Sequence, residues 1–332
     1  MSAPSAVTAK ERAAASGQLL AAVDIGGTKI AAGLVDRTGE LLYQVSRPTP
    51  AQESGSAVLT AVHAAVEHLA ADPRWGRVAA LGIGSAGPVD TARGTVSPVN
   101  IPGWRDFPLV RSMAAHPALA GLPMVLGGDA VAMAAAEHWR GAARGHANAL
   151  CIVVSTGVGA GLILDGAVYP GPTGNAGHLG HICVDLDGDP CACGSRGCVE
   201  GLASGTAIAR RALRDGWQPH GSDASAGAVA ASARRGDPIA LAAFDRAAQA
   251  LAAGIAATAT LVEIDLAVIG GGVAQAGDLL FAPLRRHLAR YATLSFTSAI
   301  RVVPAALGTD AGLVGAAALA APRLGATAAP SS

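Results

Sequence analysis

The sequence predicts an α/β protein built on a duplicated core, with a cleft between the two copies. Three observations predict it. "AVDIGGTKIAAGLVDRTG" from residue 22 and "VVSTGVGAGLILDGAV" from residue 153 share one pattern of strand, polar glycine turn, strand and turn. Apolar strand-like runs alternate with helical segments along the rest of the chain. At 332 residues the chain can bury two separate cores.

The elements follow in order. Residues 1–18 read as a disordered leader. "LLAAVDIGGTKIAAGLV" (19–35) gives two strands around a glycine turn, and "ELLYQVSRPTP" a third strand ended by its prolines. Val58, Val62, Val66 and Leu69 recur at helical spacing. "VAALGIGSAGPV" is a strand entering a Gly/Pro loop, and "LPMVLGGDAVAMAAAEHW" a strand, a break and a helix. The second half repeats the theme, then continues through "ASGTAIARRALRDG", a helix within "PHGSDASAGAVAASARRGDP" and a long helix in "ALAAFDRAAQALAAGIAATATLVEI". The strand "LAVIGGGVA" and further helices close the chain. The expected boundaries are an N-terminal domain at 19–130, joined by a C-terminal helix at 310–322, and a second domain at 131–309.

Composition narrows the function. Formal net charge is zero, so no global field attracts nucleic acid or an anionic membrane. The most apolar stretches are alanine-rich and interrupted, which argues against a membrane span. The leader lacks the apolar region of a secretory signal, so a cytoplasmic location is expected. There, clustered thiols point to metal or catalysis rather than to disulfides. Lysine occurs only at Lys10 and Lys29, which draws attention to the one inside a glycine motif.

That motif, "DIGGTK", ends a strand with Asp24 and turns through Gly26, Gly27, Thr28 and Lys29. Glycines let the backbone approach an anion, and successive N–H groups form an anion-binding nest. Thr28 adds a hydroxyl donor, and Asp24 suits Mg²⁺. The P-loop spacing is absent. With "STGVGAG" at 155–161 and "GGG" at 270–272, three such elements stand at strand ends. They suit a nucleotide, and phosphoryl transfer is the chemistry they favour.

Cys191, Cys193 and Cys198 follow CxCx4C, with glycines at 194 and 197 that allow a tight fold. His181 completes a Cys3His set, the closed tetrahedral donor set of structural zinc. Such a metal has no open position for activated water and acts as a clamp. The loop it fixes carries His178, His181 and Glu200, residues suited to hydrogen-bonding a polyol. Cys183 is a possible substitute ligand, but in the apolar strand "HICVDL" it reads rather as a small buried side chain, as Cys151 does in "ALCIVV".

Together these motifs resemble the ROK family (repressors, open reading frames, kinases) of the hexokinase/actin-like ATPase superfamily. "DIGGTK", "GIGSAGPVD", "NIPGW", "GDA", "STGVGAG", "GHLGH", "CACGSRGCVE" and "GGG" occur in family order over roughly residues 20–320. The resemblance implies two actin/hexokinase-like α/β domains (ribonuclease H-like) that close over sugar and ATP·Mg²⁺. It implies transfer of the γ-phosphoryl group to a sugar hydroxyl, usually that on C6. It also implies a homo-oligomer, dimer or tetramer, and no nucleic-acid partner, since the leader is too short for the winged helix of family repressors. Carried over, the aspartate of the family's "NDA" motif is Asp129, the general base, a role that can hold together with capping the helix "AVAMAAAEHW". His181 is the zinc histidine and touches the sugar, and Glu200 is the acid after the last cysteine. Thr156 and Gly157 fall near the phosphates, and Gly271 and Gly272 near the adenosine.

Two departures bear on the substrate. Gly128 replaces the asparagine of "NDA", and His178 replaces the common glutamate of "ExGH". Both original side chains bind hydroxyls at the far edge of the ring, and losing them changes which ring is preferred. The expected substrate is a modified hexose: an amino or N-acetylated sugar, or a sugar-like cyclitol. Two alternatives stand beside it. One is a glucokinase in which water or Asn100 substitutes; the other is a non-catalytic sugar-sensing protein without a DNA-binding domain.

Overall fold

The computed structural model describes residues 17–324; most of the expected leader, residues 1–16, lies outside them. The described chain forms two compact units. Unit 1 takes residues 17–136, 172–175 and 309–324, and unit 2 takes 137–171 and 176–308. The first boundary lies between Ala136 and Glu137, inside a helix, where the sequence reading put it after residue 130.

Unit 1 centres on β1 (Leu19–Ile25), β2 (Lys29–Val35), β3 (Leu41–Pro48), β4 (Val78–Ser85) and β7 (Met124–Gly128), in sheet order β3-β2-β1-β4-β7. β1 pairs antiparallel with β2 and parallel with β4, so it lies inside the sheet. Its residues Leu19 to Val23 are accordingly all buried, a continuous apolar run rather than an alternating one. A small hairpin, β5 (Val89–Asp90) and β6 (Thr95–Val96), lies between β4 and β7 in sequence. Helix α1 (Gly55–Ala70) starts at Ser54, whose hydroxyl accepts from Ala57 N–H at 3.2 Å. It buries Val58, Val62, Val66 and Leu69, the face its spacing predicted. A short helix α2 (Leu109–Ala114) follows, and helix α3 (Asp129–Arg140) leaves the end of β7.

Unit 2 repeats the arrangement with β8 (Ala149–Val154), β9 (Val158–Leu164), β10 (Ala167–Tyr169), β11 (Leu266–Gly270) and β12 (Arg301–Pro304). Its order, β10-β9-β8-β11-β12, has the same antiparallel and parallel pairings as unit 1. Between β10 and β11 run α4 (Val199–Ala203), α5 (Gly205–Arg214), α6 (Ala226–Arg234) and α7 (Pro238–Val262), and α8 (Asp278–Tyr291) joins β11 to β12. By length and composition α7 is apolar enough to cross a membrane, but 61% of its most apolar window is buried. Its inward face, including Phe244, Leu251 and Ile255, belongs to the core of unit 2.

Helix α9 (Ala311–Ala320) returns to unit 1 and packs on β4, β1 and β7. Small residues permit the approach. A Cβ at Gly82 would overlap the Ala316 carbonyl, and one at Gly315 the Ala132 carbonyl. The "HICVDL" stretch is not a strand. It follows a single 3-10 turn and makes only an isolated bridge between Cys183 and Cys198, leaving Cys183 exposed rather than buried as expected.

Candidate functional site

In unit 1 the turn between β1 and β2 is closed by Gly26 N–H donating to the Lys29 carbonyl at 3.0 Å. Thr49, just past β3, pins it twice. Its N–H donates to Thr28 O at 3.0 Å, and its hydroxyl donates to Gly26 O at 2.7 Å. These turn carbonyls are thus engaged by protein donors, which favours the N–H groups and the Thr28 hydroxyl as what the turn presents. Asn100 lies over Gly27, where a Cβ would come within 2.5 Å of its amide nitrogen. Thr28 and Lys29 are exposed. Burial first, then the Asp129 carboxylate, pushes the Asp24 carboxyl up to about 6, with Lys29 opposing. A largely buried carboxylate that a second carboxylate lies near enough to raise suits a bound cation, so Asp24 fits magnesium.

Asp129 is the first residue of α3 and is exposed; its Oδ1 accepts from Ala130 N–H at 2.7 Å. Beside it, Gly128 ends β7 with room to spare. A Cβ there would meet nothing nearer than the Gly174 carbonyl at 3.9 Å.

In unit 2 the turn between β8 and β9 is held in a parallel way. Ser155 N–H donates to Gly157 O at 2.8 Å, Gly205 N–H to Ser155 O at 2.7 Å, and the Thr206 hydroxyl to Thr156 O at 3.0 Å. Glu200 adds a carboxylate, its Oε2 accepting from Val158 N–H at 2.9 Å. A cavity of about 820 Å³ opens at this turn, lined among others by Thr156, Gly272, Val273, Phe244, Arg210 and Arg234. Its size and largely apolar wall suit a nucleoside. Gly271 does not line it. With φ near 89° it backs so closely onto Val154 that a side chain would overlap that residue's carbonyl.

The donor atoms of His181, Cys191, Cys193 and Cys198 all lie within 4.8 Å of one another. Cys193 Sγ and Cys198 Sγ are 3.8 Å apart, and Cys191 Sγ is 3.9 Å from His181 Nδ1. A disulfide needs about 2.05 Å, whereas a tetrahedron with Zn–S bonds of about 2.3 Å sets its sulfurs about 3.8 Å apart. The four donors therefore fit zinc. Burial and the neighbouring thiols push Cys198 up to about 12, while Cys193 is lowered, chiefly by a backbone hydrogen bond at Ser195. A cation at the centre would deprotonate the set. The ring of His178 lies 6.1 Å from that of His181.

The structure thus gathers Asp24, Gly26, Gly27, Thr28, Lys29 and Asn100 at one turn, with Gly128 and Asp129 at the β7–α3 junction of the same unit. It gathers Thr156, Gly157 and Glu200 at the other turn, and Gly272 at the adjoining cavity. The sequence reading missed Thr206, Arg210 and Arg234. Thr206 sits behind the Ser204 cap of α5, a recognisable "SGT" helix start. The two arginines carry no spacing signal.

Two units of one sheet topology, each with a turn between its first two strands, are those of the actin-like ATPase fold on which sugar kinases are built. The chain belongs to the ROK family, whose model matches residues 20–323. It is similar to a glucokinase of Thermotoga maritima, 35% identical over 92% of this chain and 98% of that one. It is also similar to an N-acetylmannosamine kinase of Yersinia pseudotuberculosis, 36% identical over 89% and 96%. A ROK family glucokinase from Streptomyces griseus, solved with glucose and AMPPNP, superposes with a TM-score of 0.77 at 38% identity, covering 91% of this chain and 98% of that one.

Proposed function

We propose that the protein transfers the γ-phosphoryl group of ATP to the C6 hydroxyl of a modified hexose, an amino or N-acetylated sugar or a sugar-like cyclitol. The observation that carries the substrate is Gly128. Its φ is not left-handed and its surroundings would accept a side chain, so the fold does not demand glycine there. The glycine leaves space beside Asp129, which a ring substituent can use. The similarity to an N-acetylmannosamine kinase supports this reading. The glucokinase similarities favour a second one, plain glucose with Asn100 or water taking over the lost hydrogen bonds.

In either case Asp129 accepts the proton of the attacking hydroxyl, which needs only modest basicity when the transition state is loose. From Gly27 onward in the first turn, since Gly26 N–H closes that turn, and at Thr156–Gly157 in the second, N–H groups donate to phosphate oxygens. Lys29 offsets their charge, and the cavity beside Gly272 takes the nucleoside. Asp24 holds magnesium, which when bound neutralises charge developing on the phosphates. His178, His181 and Glu200 hydrogen-bond the sugar, from a loop that zinc, when bound by His181, Cys191, Cys193 and Cys198, keeps in shape. A homo-oligomeric state, dimer or tetramer, rests on the family resemblance alone.

Initial rates of ADP release with glucose, mannose, their 2-amino and 2-N-acetyl forms and inositols test the substrate. A modified ring is expected to give the highest kcat/KM, and Gly128→Asn to shift preference toward glucose. Glucose as the best substrate of the unaltered protein would refute the first reading in favour of the second.

A further inference from the structure

The loop bearing the cysteines does more than present groups to a sugar. Both of its legs return to one residue, Val158, at the end of the β8–β9 turn. On the histidine leg, Gly180 immediately precedes His181, and a Cβ there would overlap the Val158 carbonyl. On the cysteine leg, Glu200 follows Cys198 by two residues, and its Oε2 accepts from Val158 N–H at 2.9 Å. The same oxygen lies where a Cβ on Gly157 would come within 2.6 Å of it. The carboxylate therefore occupies the space that glycine leaves free, directly behind the turn.

We propose that Glu200 is a positioning residue for the nucleotide, passing the geometry of the metal loop to the Thr156–Gly157 turn, so that nucleotide affinity depends on the metal. The inference rests on the reading that this turn takes phosphates. Its physical basis is reach. A peptide turn that offers N–H groups to an anion must hold their directions, and a charged acceptor on Val158 N–H fixes the plane of the next peptide. The sign of the effect separates this role from simple electrostatics. A carboxylate near a triphosphate repels it, so by charge alone its removal tightens nucleotide binding. As a brace, its removal weakens binding.

Calorimetry with magnesium and AMPPNP, in the absence of sugar, tests the proposal on the metal-loaded protein, with zinc content and circular dichroism recorded for each variant. Glu200→Ala is expected to bind about tenfold more weakly, the scale of one charge-assisted hydrogen bond. Glu200→Gln, whose amide oxygen still accepts from Val158, is expected to stay within about threefold of the parent. Glu200→Asp keeps the charge but falls short by one methylene, and should behave like the alanine variant; it carries the test if Glu200→Ala fails to fold. Stripping zinc from the parent should produce the same loss, and stripping it from a short-side-chain variant should add little. Unchanged or tighter binding by Glu200→Ala or Glu200→Asp, or unchanged affinity in the zinc-free parent, overturns the proposal. A parent that binds no AMPPNP fails the nucleotide-site reading itself, and this inference with it.

Discussion

The β1–β2 and β8–β9 turns occupy the same place in two sheets of the same topology, yet they are built from different resources. Each has a threonine hydroxyl tying down a turn carbonyl, Thr49 on Gly26 and Thr206 on Thr156. The first carries its own charge, Asp24 and Lys29 at its two ends, with Asp129 near enough to perturb Asp24. The second is neutral through Ser155, Thr156 and Gly157, and its charged support comes from Glu200, two residues past Cys198 on the Cys3His loop. Two units of one topology thus carry a charged turn in one case and a neutral turn braced from outside in the other.

The largest expected effect follows from that division. Asp129→Asn is expected to lower kcat by about 10²–10⁴-fold, the range for losing a general base, while sugar affinity changes little. Thr156→Ala in the neutral turn should instead raise KM for ATP severalfold and leave kcat close to the parent value. Steady-state kinetics on both variants decide it. Near-parental kcat for Asp129→Asn would erase the asymmetry between the units.

A second contrast lies beneath the turns. Unit 1 receives α9 across glycines, with Gly82 against the Ala316 carbonyl. In unit 2, by contrast, α7 packs against the helices α4, α5, α6 and α8 and enters the core through alanines and large apolar side chains such as Phe244 and Leu251. Gly82→Ala therefore drives a methyl into backbone rather than into a movable side chain. An overpacking cost of about 1–3 kcal/mol or more is expected, read as an earlier unfolding transition in calorimetry. An unchanged transition would show that α9 can shift without loss.

How much of this could be read from the chain follows the range of each interaction. The paired strand–turn–strand units were visible because their apolar runs and glycines are contiguous. The donor set was visible because three cysteines fall within eight positions. Gly128 stood out as a departure, but the free space around it depends on Gly174, from a distant segment. The hydrogen bond from Val158 to Glu200 spans 42 positions and leaves no local pattern. Arg210 and Arg234 look like ordinary helix-surface arginines, and only the fold turns them toward a cavity. Cys183 misled because "ICV" is apolar, yet the chain there belongs to the Cys3His loop and leaves the thiol at the surface.

The smallest expected effect tests the charged turn in the resting protein. The Asp24 carboxyl is raised to about 6 from an ordinary 3.8, so between these values the folded state binds more protons than the unfolded state. Stability then falls as pH rises through this window, and the unfavourable contribution is complete above about pH 6. Asp24→Asn removes the charge, so in magnesium-free buffer it should match the parent near pH 4 and exceed it near pH 7. The gap should be a shift in Tm on the order of 1–3 °C, limited by the partial exposure of the site and by Lys29. Magnesium with nucleotide should close the gap by stabilising the parent more than the variant, because a cation beside Asp24 reverses the cause of the raised pKa. A gap that opens toward low pH instead, or one that magnesium and nucleotide leave untouched, would mean that the Asp24–Asp129 pair is not where the first turn keeps its charge.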